Sequence, residues 1–266
     1  MIPEELTLGF TFLIFSLVEG ENIYDRIQEI FGESPGTLSI LEEKVDIDLQ
    51  MEYFEFSKSV KKDLDETVIM QEKQGLYDPD WSEEKKKRLF ARLASIENVE
   101  AYRFIESYLR EGREEYRDWA ILALQESRML LESKLLDENQ VFISTGLGGK
   151  DSKLRYFVVL IRKDKGDFPE LQKRIILNEY EICLKKFNAE IENLDFIENY
   201  ATLLVIIPLR ASLKDVFREA ISECNQYGDF LKSNFIVTNV RELGLEEIED
   251  FLRKQEQSNY QEDPNK

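Results

Sequence analysis

The sequence predicts an α+β protein in two parts, a mostly helical domain followed by a sheet-and-helix domain. Three observations carry this reading. Apolar residues between about 41 and 136 recur at helical spacing with short breaks. After residue 140, short apolar runs alternate with helical patterns. Between the two regimes lies Val141–Ile161, VFISTGLGGKDSKLRYFVVLI, two apolar runs around a loop that holds glycines and lysines.

Taken in order, GFTFLIFSLV (residues 9–18) is rich in β-branched and aromatic residues and reads as a core strand. The apolar run Leu8–Val18 falls short of the roughly 20 residues that span a bilayer. It follows Glu4 and Glu5, where a leader would carry positive charge. Residues 21–32 place Ile23, Ile27 and Ile30 at helical spacing before Gly32, and Ser34-Pro35-Gly36 is a turn. Residues 41–70 fit two patterns. Val45, Ile47, Leu49, Met51 and Tyr53 alternate like a strand. Val45, Leu49, Tyr53, Phe56, Val60 and Leu64 form a longer helical stripe, and the longer periodicity is preferred.

Gly75–Trp81 is a loop, and Ser82 caps a helix whose first turn holds Glu83 and Glu84, where the helix dipole favours acids. Leu89, Phe90, Leu93 and Ala94 form its apolar face. Val99, Tyr102, Ile105 and Leu109 form the next, and Gly112 ends it. A third helix runs from about Glu114 to Leu136. Its inner face holds Tyr116, Trp119, Ala120, Ala123 and Leu130, while Leu122 and Leu124 widen the apolar surface to more than one side.

Beyond the glycine loop, Leu154–Ile161 is a near-continuous apolar strand. A helix opens at Phe168-Pro169-Glu170 and reaches Phe187. Glu190–Ile197 alternates as a strand, and Ala201–Leu209 is the strongest strand pattern in the chain. Ser212 caps a helix to about Tyr227, Phe235–Val240 is a strand, and Gly244–Arg253 is a last helix. Strand, helix, strand, strand, helix, strand is the split βαβ, ferredoxin-like order. Val141–Ser144 adds a hairpin strand at its front. The expected domains are therefore 1–139, helical, and 140–254, ferredoxin-like. Residues 255–266 form a polar frayed tail.

Helices joined by short links, with the small-residue run RDWAILAL in the last of them, resemble HEAT-type helical repeats over residues 83–136. That resemblance implies a protein-binding surface.

Composition narrows the chemistry. The net charge is −19, with 32 acids against 17 bases in residues 1–140 and 22 against 18 in residues 141–266. Duplex and anionic-membrane binding both need a basic face, so neither nucleic acid nor membrane is an expected partner. There is no histidine, which removes Ser-His-Asp and Cys-His catalysis and His-ligated metal sites. Two cysteines, Cys183 and Cys224, are too few for a structural zinc site or a disulfide scaffold. The chain reads as cytoplasmic, with no cofactor expected.

The loop TGLGGKDSK offers backbone N–H groups at Gly146, Gly148 and Gly149, with Lys150, Lys153 and Arg155 nearby. Such a loop can hold a phosphate or carboxylate. It is no P-loop, because Ser144 and Asp151 stand where that motif needs Gly and Ser/Thr. Its plain alternative is a hairpin turn. Lys150–Arg174 is a basic strip, with eight bases and four acids. Cys183 and Cys224 read as core thiols. The acid pairs Glu114/Glu115, Glu126/Glu132, Asp137/Glu138 and Glu246/Glu247 read as solvated helix faces. Trp119 is an interface anchor if exposed and a helix lock if buried. The leading expectation is a non-catalytic interaction or regulatory protein with a protein partner. Homo-oligomerisation through the C-terminal sheet is a further expectation. The alternative is a small-ligand sensor or transferase-like enzyme with an anionic ligand on Gly146–Lys153.

Overall fold

The computed structural model describes residues 10–14, 37–62, 64–136 and 140–262. The helix expected at 21–32 and the turn after it lie outside these residues. The fold is mixed, with helices and two sheets, and the chain divides into two compact units between Ser152 and Lys153. The expected boundary near Asn139 differs because of one strand. Gln140–Ser144 does not open a hairpin for the second unit; it joins a parallel sheet in the first.

In that first unit β1 (Phe10–Ile14) and β2 (Thr37–Ile40) flank β3 (Gln140–Ser144), both parallel to it, with Phe12 and Ser39 each in register with Phe142. β3 is central, and Val141, Phe142 and Ile143 are buried. Parallel neighbours need a long crossover, and between β2 and β3 the whole helical body supplies it.

That body begins with α1 (Ile47–Val60) and α2 (Glu66–Glu72), then a 3₁₀ turn at Lys73–Tyr77. Helix wins over strand here, and it starts where Asp46 caps the N–H groups of Asp48 and Leu49 at 2.9 and 3.2 Å. Asp65 restarts the helix by capping Thr67 and Val68. The buried face of α1 keeps Tyr53 and Val60 of the apolar stripe read from spacing and adds two polar residues to it. The face is Gln50, Tyr53, Ser57 and Val60, with Leu49 and Phe56 only partly buried beside them.

α3 (Glu83–Ala94) starts at the Ser82 cap, and α4 (Val99–Arg110) at Asn98. α5 (Arg117–Leu136) starts later than Glu114, because Tyr116 is left-handed at φ 58°. α3 and α4 both pack on α5. Ala94, Ala101, Ala120 and Ala123 are fully buried in the core that these helices share. A two-residue strand, β4 (Gly149–Lys150), and a turn at Asp151–Ser152 carry the chain out of this unit.

The second unit runs β5 (Lys153–Arg162), α6 (Glu170–Lys186), β6 (Glu190–Ile197), β7 (Tyr200–Pro208), α7 (Leu213–Asn225), β8 (Leu231–Thr238) and α8 (Leu245–Glu262). The sheet order is β6-β7-β5-β8, antiparallel throughout, with Val158 opposite Leu203 and Val159 opposite Ile236. β5 and β7 lie inside, so both their faces are apolar and buried; β6 is an edge strand and alternates. β8 starts earlier than its apolar run, since Asn225 holds Leu231 through both N–H and carbonyl, at 2.8 and 2.9 Å. α6 and α7 pack together, with α6 against β6 and α7 against β8. α8 continues to Glu262, through much of the expected frayed tail. Residues 254–262 hold no Gly or Pro, and Lys, Gln and Glu favour helix. At its start the Glu247 carboxylate accepts from Arg241 and then from the Gly244 N–H, which together pull its pKa down to about 2. Among the described residues no helix is long and apolar enough to cross a membrane.

Asn98 ties two helices at once: its Oδ1 accepts from Glu100 and Ala101 at 2.7 and 3.0 Å, and its Nδ2 donates to Glu66 at 2.6 Å. Asn98→Ala is expected to cost about 1 kcal/mol in urea unfolding with an unchanged m-value.

Candidate functional site

The glycine loop folds inward. Gly146, Gly148 and Gly149 are buried. The Gly148 N–H donates to Thr145 O at 3.2 Å and the Gly149 N–H to Glu42 O at 3.3 Å. The Asp151 N–H donates to the Glu42 carboxylate at 3.2 Å. Backbone carbonyls thus take the Gly148 and Gly149 amides, and the Glu42 carboxylate takes only that of Asp151. Gly148 sits at φ 67°, and a Cβ there would lie 2.4 Å from Glu43 O and 2.5 Å from Glu42 O. Glycine is required for close backbone approach, not for an open cradle. The turn itself uses Asp151 and Ser152, at φ 48° and 61°, the paired left-handed conformation of a type I′ turn.

The basic residues do not converge on that loop by any contact within their units. Lys150 is exposed in the first unit. Lys153 and Arg155 belong to the second. There Lys153 reaches Asn188 at 3.4 Å, and Arg155 pairs with Glu192 through two nitrogens, Nη2 to Oε1 at 2.9 Å.

Trp119 is 2% exposed, so it is a helix lock and not a surface anchor. Its Nε1–H donates to Lys87 O at 3.1 Å. Its ring meets Tyr53 and Phe56 edge-on at 5.1 and 5.6 Å, with the Lys87 ammonium 4.7 Å above it. Cys183 and Cys224 are free and buried. Burial, then nearby Glu179 and Cys183, push the Cys224 thiol up to about 12, and burial raises Cys183 too. Both stay protonated near neutral pH, which removes the thiolate a nucleophile needs.

The strongest polar constellation was hidden among the acid pairs. Glu126 is not solvated; it is 4% exposed in the middle of α5. Tyr53 donates to its Oε2 at 2.6 Å, Ser57 lies 2.8 Å from Oε1, and Lys61 reaches Oε1 at 2.7 Å. Tyr53 and Ser57 on α1 and Lys61 at its C-cap are spaced four apart, so one face presents all three. Burial and the adjacent Glu126 charge raise the Tyr53 pKa well above its usual value, keeping the hydroxyl a donor. Both Glu126 oxygens are engaged by groups from α1 and its C-cap, so this centre ties α1 to α5.

The opposite face of α5 is open. There, wholly within the first unit, a cleft of about 300 Å³ is lined by apolar Ile40, Leu109, Ile121 and Leu124. Gln125 and Arg128 continue that lining on α5, with Glu42, Glu43, Ser39 and Ser152 across from them by sequence position. Arg128 touches the Tyr102 hydroxyl at 3.4 Å. Gln125 is 8% exposed, and its amide has no hydrogen-bond partner among the described residues. Sequence reading passed over Gln125 and Arg128. The available signal was QESR set inside an otherwise apolar helix, ILALQESRMLL. Among the described residues no group of acids and cysteines is arranged to hold a metal. No family model matches the chain, and no curated protein matches it.

Two substitutions test these assignments by chemical unfolding. Glu126→Ala leaves the Tyr53 and Ser57 hydroxyls and the Lys61 ammonium without their shared acceptor, and is expected to cost about 3–5 kcal/mol. Gly148→Ala forces a methyl into the 42–43 backbone at positive φ and is expected to cost about 2 kcal/mol or more.

Proposed function

We propose that the chain is a non-catalytic interaction or regulatory protein with a HEAT-like helical unit and a ferredoxin-like second unit. Supporting the first is the series α3, α4 and α5, joined by short links, with α3 and α4 both packed on α5 and four alanines buried in their shared core. Supporting the second is its strand order: numbered within the unit, it reads 2-3-1-4 with every neighbour antiparallel, which is the split βαβ arrangement. A reducing, cytoplasmic setting fits two free buried thiols. The competing reading, an anionic ligand on Gly146–Lys153, loses ground because the loop amides already serve Thr145 and Glu42.

The observation that carries the interaction reading is the outer face of α6. Leu171, Ile175, Asn178 and Ile182 recur at the spacing of a helix–helix seam. Leu171 is 69% exposed and Ile182 54%. Arg174 and Glu181, both exposed, flank the stripe. Charge complementarity selects a second copy of this chain as the occupant. Two antiparallel α6 helices set Leu171 opposite Ile182 of the second copy and bring Arg174 within a turn of its Glu181, twice by symmetry.

Sedimentation equilibrium is expected to give a concentration-dependent dimer. Ile182→Glu should make it monomeric. Arg174→Glu should weaken it about ten-fold, and adding Glu181→Arg should restore it. A chain that stays monomeric at all concentrations rejects the self-pairing.

A further inference from the structure

In the first unit's sheet the order β1-β3-β2 leaves β2 at an edge. Which of its main-chain groups face outward follows from one bond. The Leu41 N–H donates to Ile143 O at 3.0 Å, toward β3. Main-chain direction alternates along a strand, so Ser39 faces β3 as well. The N–H and C=O of Leu38 and Ile40 therefore point away from β3. On that side neither residue has a hydrogen-bond partner among the described residues. Buried main-chain groups are normally paired, and an unpaired edge is a template for another strand.

This edge opens onto the cleft beside α5. Leu38, Ser39 and Ile40 line one side of it, with Gln125 and Arg128 from α5 in the same lining. The exposed lining is mostly polar, which suits recognition of a main chain and not of an apolar ligand. Charge selects the segment. Glu42 and Glu43 continue the lining past the end of β2, and Arg128, its cation, lies within electrostatic reach of Glu132 and Glu43. Residues 1–140 carry 32 acids against 17 bases, so a cationic strand is drawn in and an anionic one repelled.

We infer that β2 accepts an extended, lysine- or arginine-bearing segment of a partner protein as an added strand, seated in the cleft between β2 and α5. The main chain of the segment bonds the N–H and C=O of Leu38 and Ile40, and its basic side chains meet Glu42 and Glu43. This surface is separate from the α6 seam. Failure here leaves self-pairing through α6 standing, and the reverse.

The test is isothermal titration of the full chain with the alternating peptide acetyl-KVKVKV-amide and with acetyl-EVEVEV-amide. Saturable binding of the lysine peptide is expected by about 1 mM, with the glutamate peptide at least about ten-fold weaker. In a strand the lysine and valine N–H groups point to opposite edges. N-methylating every lysine or every valine should therefore abolish binding in one case and keep it in the other. Leu38→Pro removes an outward N–H, which an edge strand tolerates. It should weaken the lysine peptide by about ten-fold while circular dichroism and melting stay unchanged, and Glu43→Arg should weaken it at low salt. The inference is overturned if neither peptide binds at millimolar concentration, if the two N-methylated peptides bind alike, or if the glutamate peptide binds as well as the lysine one. Should Leu38→Pro fail to fold, the N-methylated pair decides alone. Sedimentation showing a dimer that Leu38→Pro dissolves, with no peptide bound, assigns the edge to a second copy and overturns it too.

Discussion

A carboxylate taken out of water must be met by matched donors, and the first unit is arranged around that requirement at Glu126. Desolvating the charge costs several kcal/mol after relaxation. The Tyr53 and Ser57 hydroxyls and the Lys61 ammonium offset it, and all three come from one face of α1. The clamp sets the rotation and register of α1 on α5, because a shift of one residue would strand the charge. Trp119, a further two turns back on the same face of α5, closes on Tyr53 and Phe56 and completes the junction.

A second polar lock works along the same helix. Gln50 donates to the carbonyls of Val45 and Thr145, and Ser144 donates to its Oε1 at 2.5 Å. The start of α1 is thereby tied to the end of β3. Leu41 N–H meets Ile143 O, and the backbone of residues 42–43 lies against Gly148. The glycine loop is the far side of this lock. Its glycines allow two backbones to touch, and its donors are spent on holding them.

α5 has work on opposite faces. Trp119, Ala123, Glu126 and Leu130 form one; Ile121, Leu124, Gln125 and Arg128 lie about half a turn away and line the cleft. Such a helix is buried on more than one side, and only some of its polar residues, Glu126 foremost, meet specific partners. In the second unit, hydrogen bonding between strands has the equivalent role. β5 and β7 are covered on both faces, while charged and polar side chains gather on β6 and in the first half of β8.

Periodicity and end signals made most elements legible. Ser82 and Ser212 have short polar side chains that can satisfy free helix N–H groups, and each stands just before a helix; Asp46 and Asn98 cap helices in the same way but were passed over in the sequence. The apolar runs of β5 and β7 likewise announced buried strands, because a strand covered on both faces cannot alternate. Other features depend on residues far apart in the chain. β3 joined the first unit because β1 and β2 offered parallel edges, which no local pattern encodes. Glu126 and Glu132 look equivalent as neighbours on one helix, and Trp119 reads alike as anchor or lock, since solvation is set by what packs against a side chain. Local sequence thus determined most of the helices and strands, with several of their ends displaced by contacts made elsewhere. The tertiary structure alone decided which polar groups lost water, because burial is a property of contacts between segments and not of any one of them.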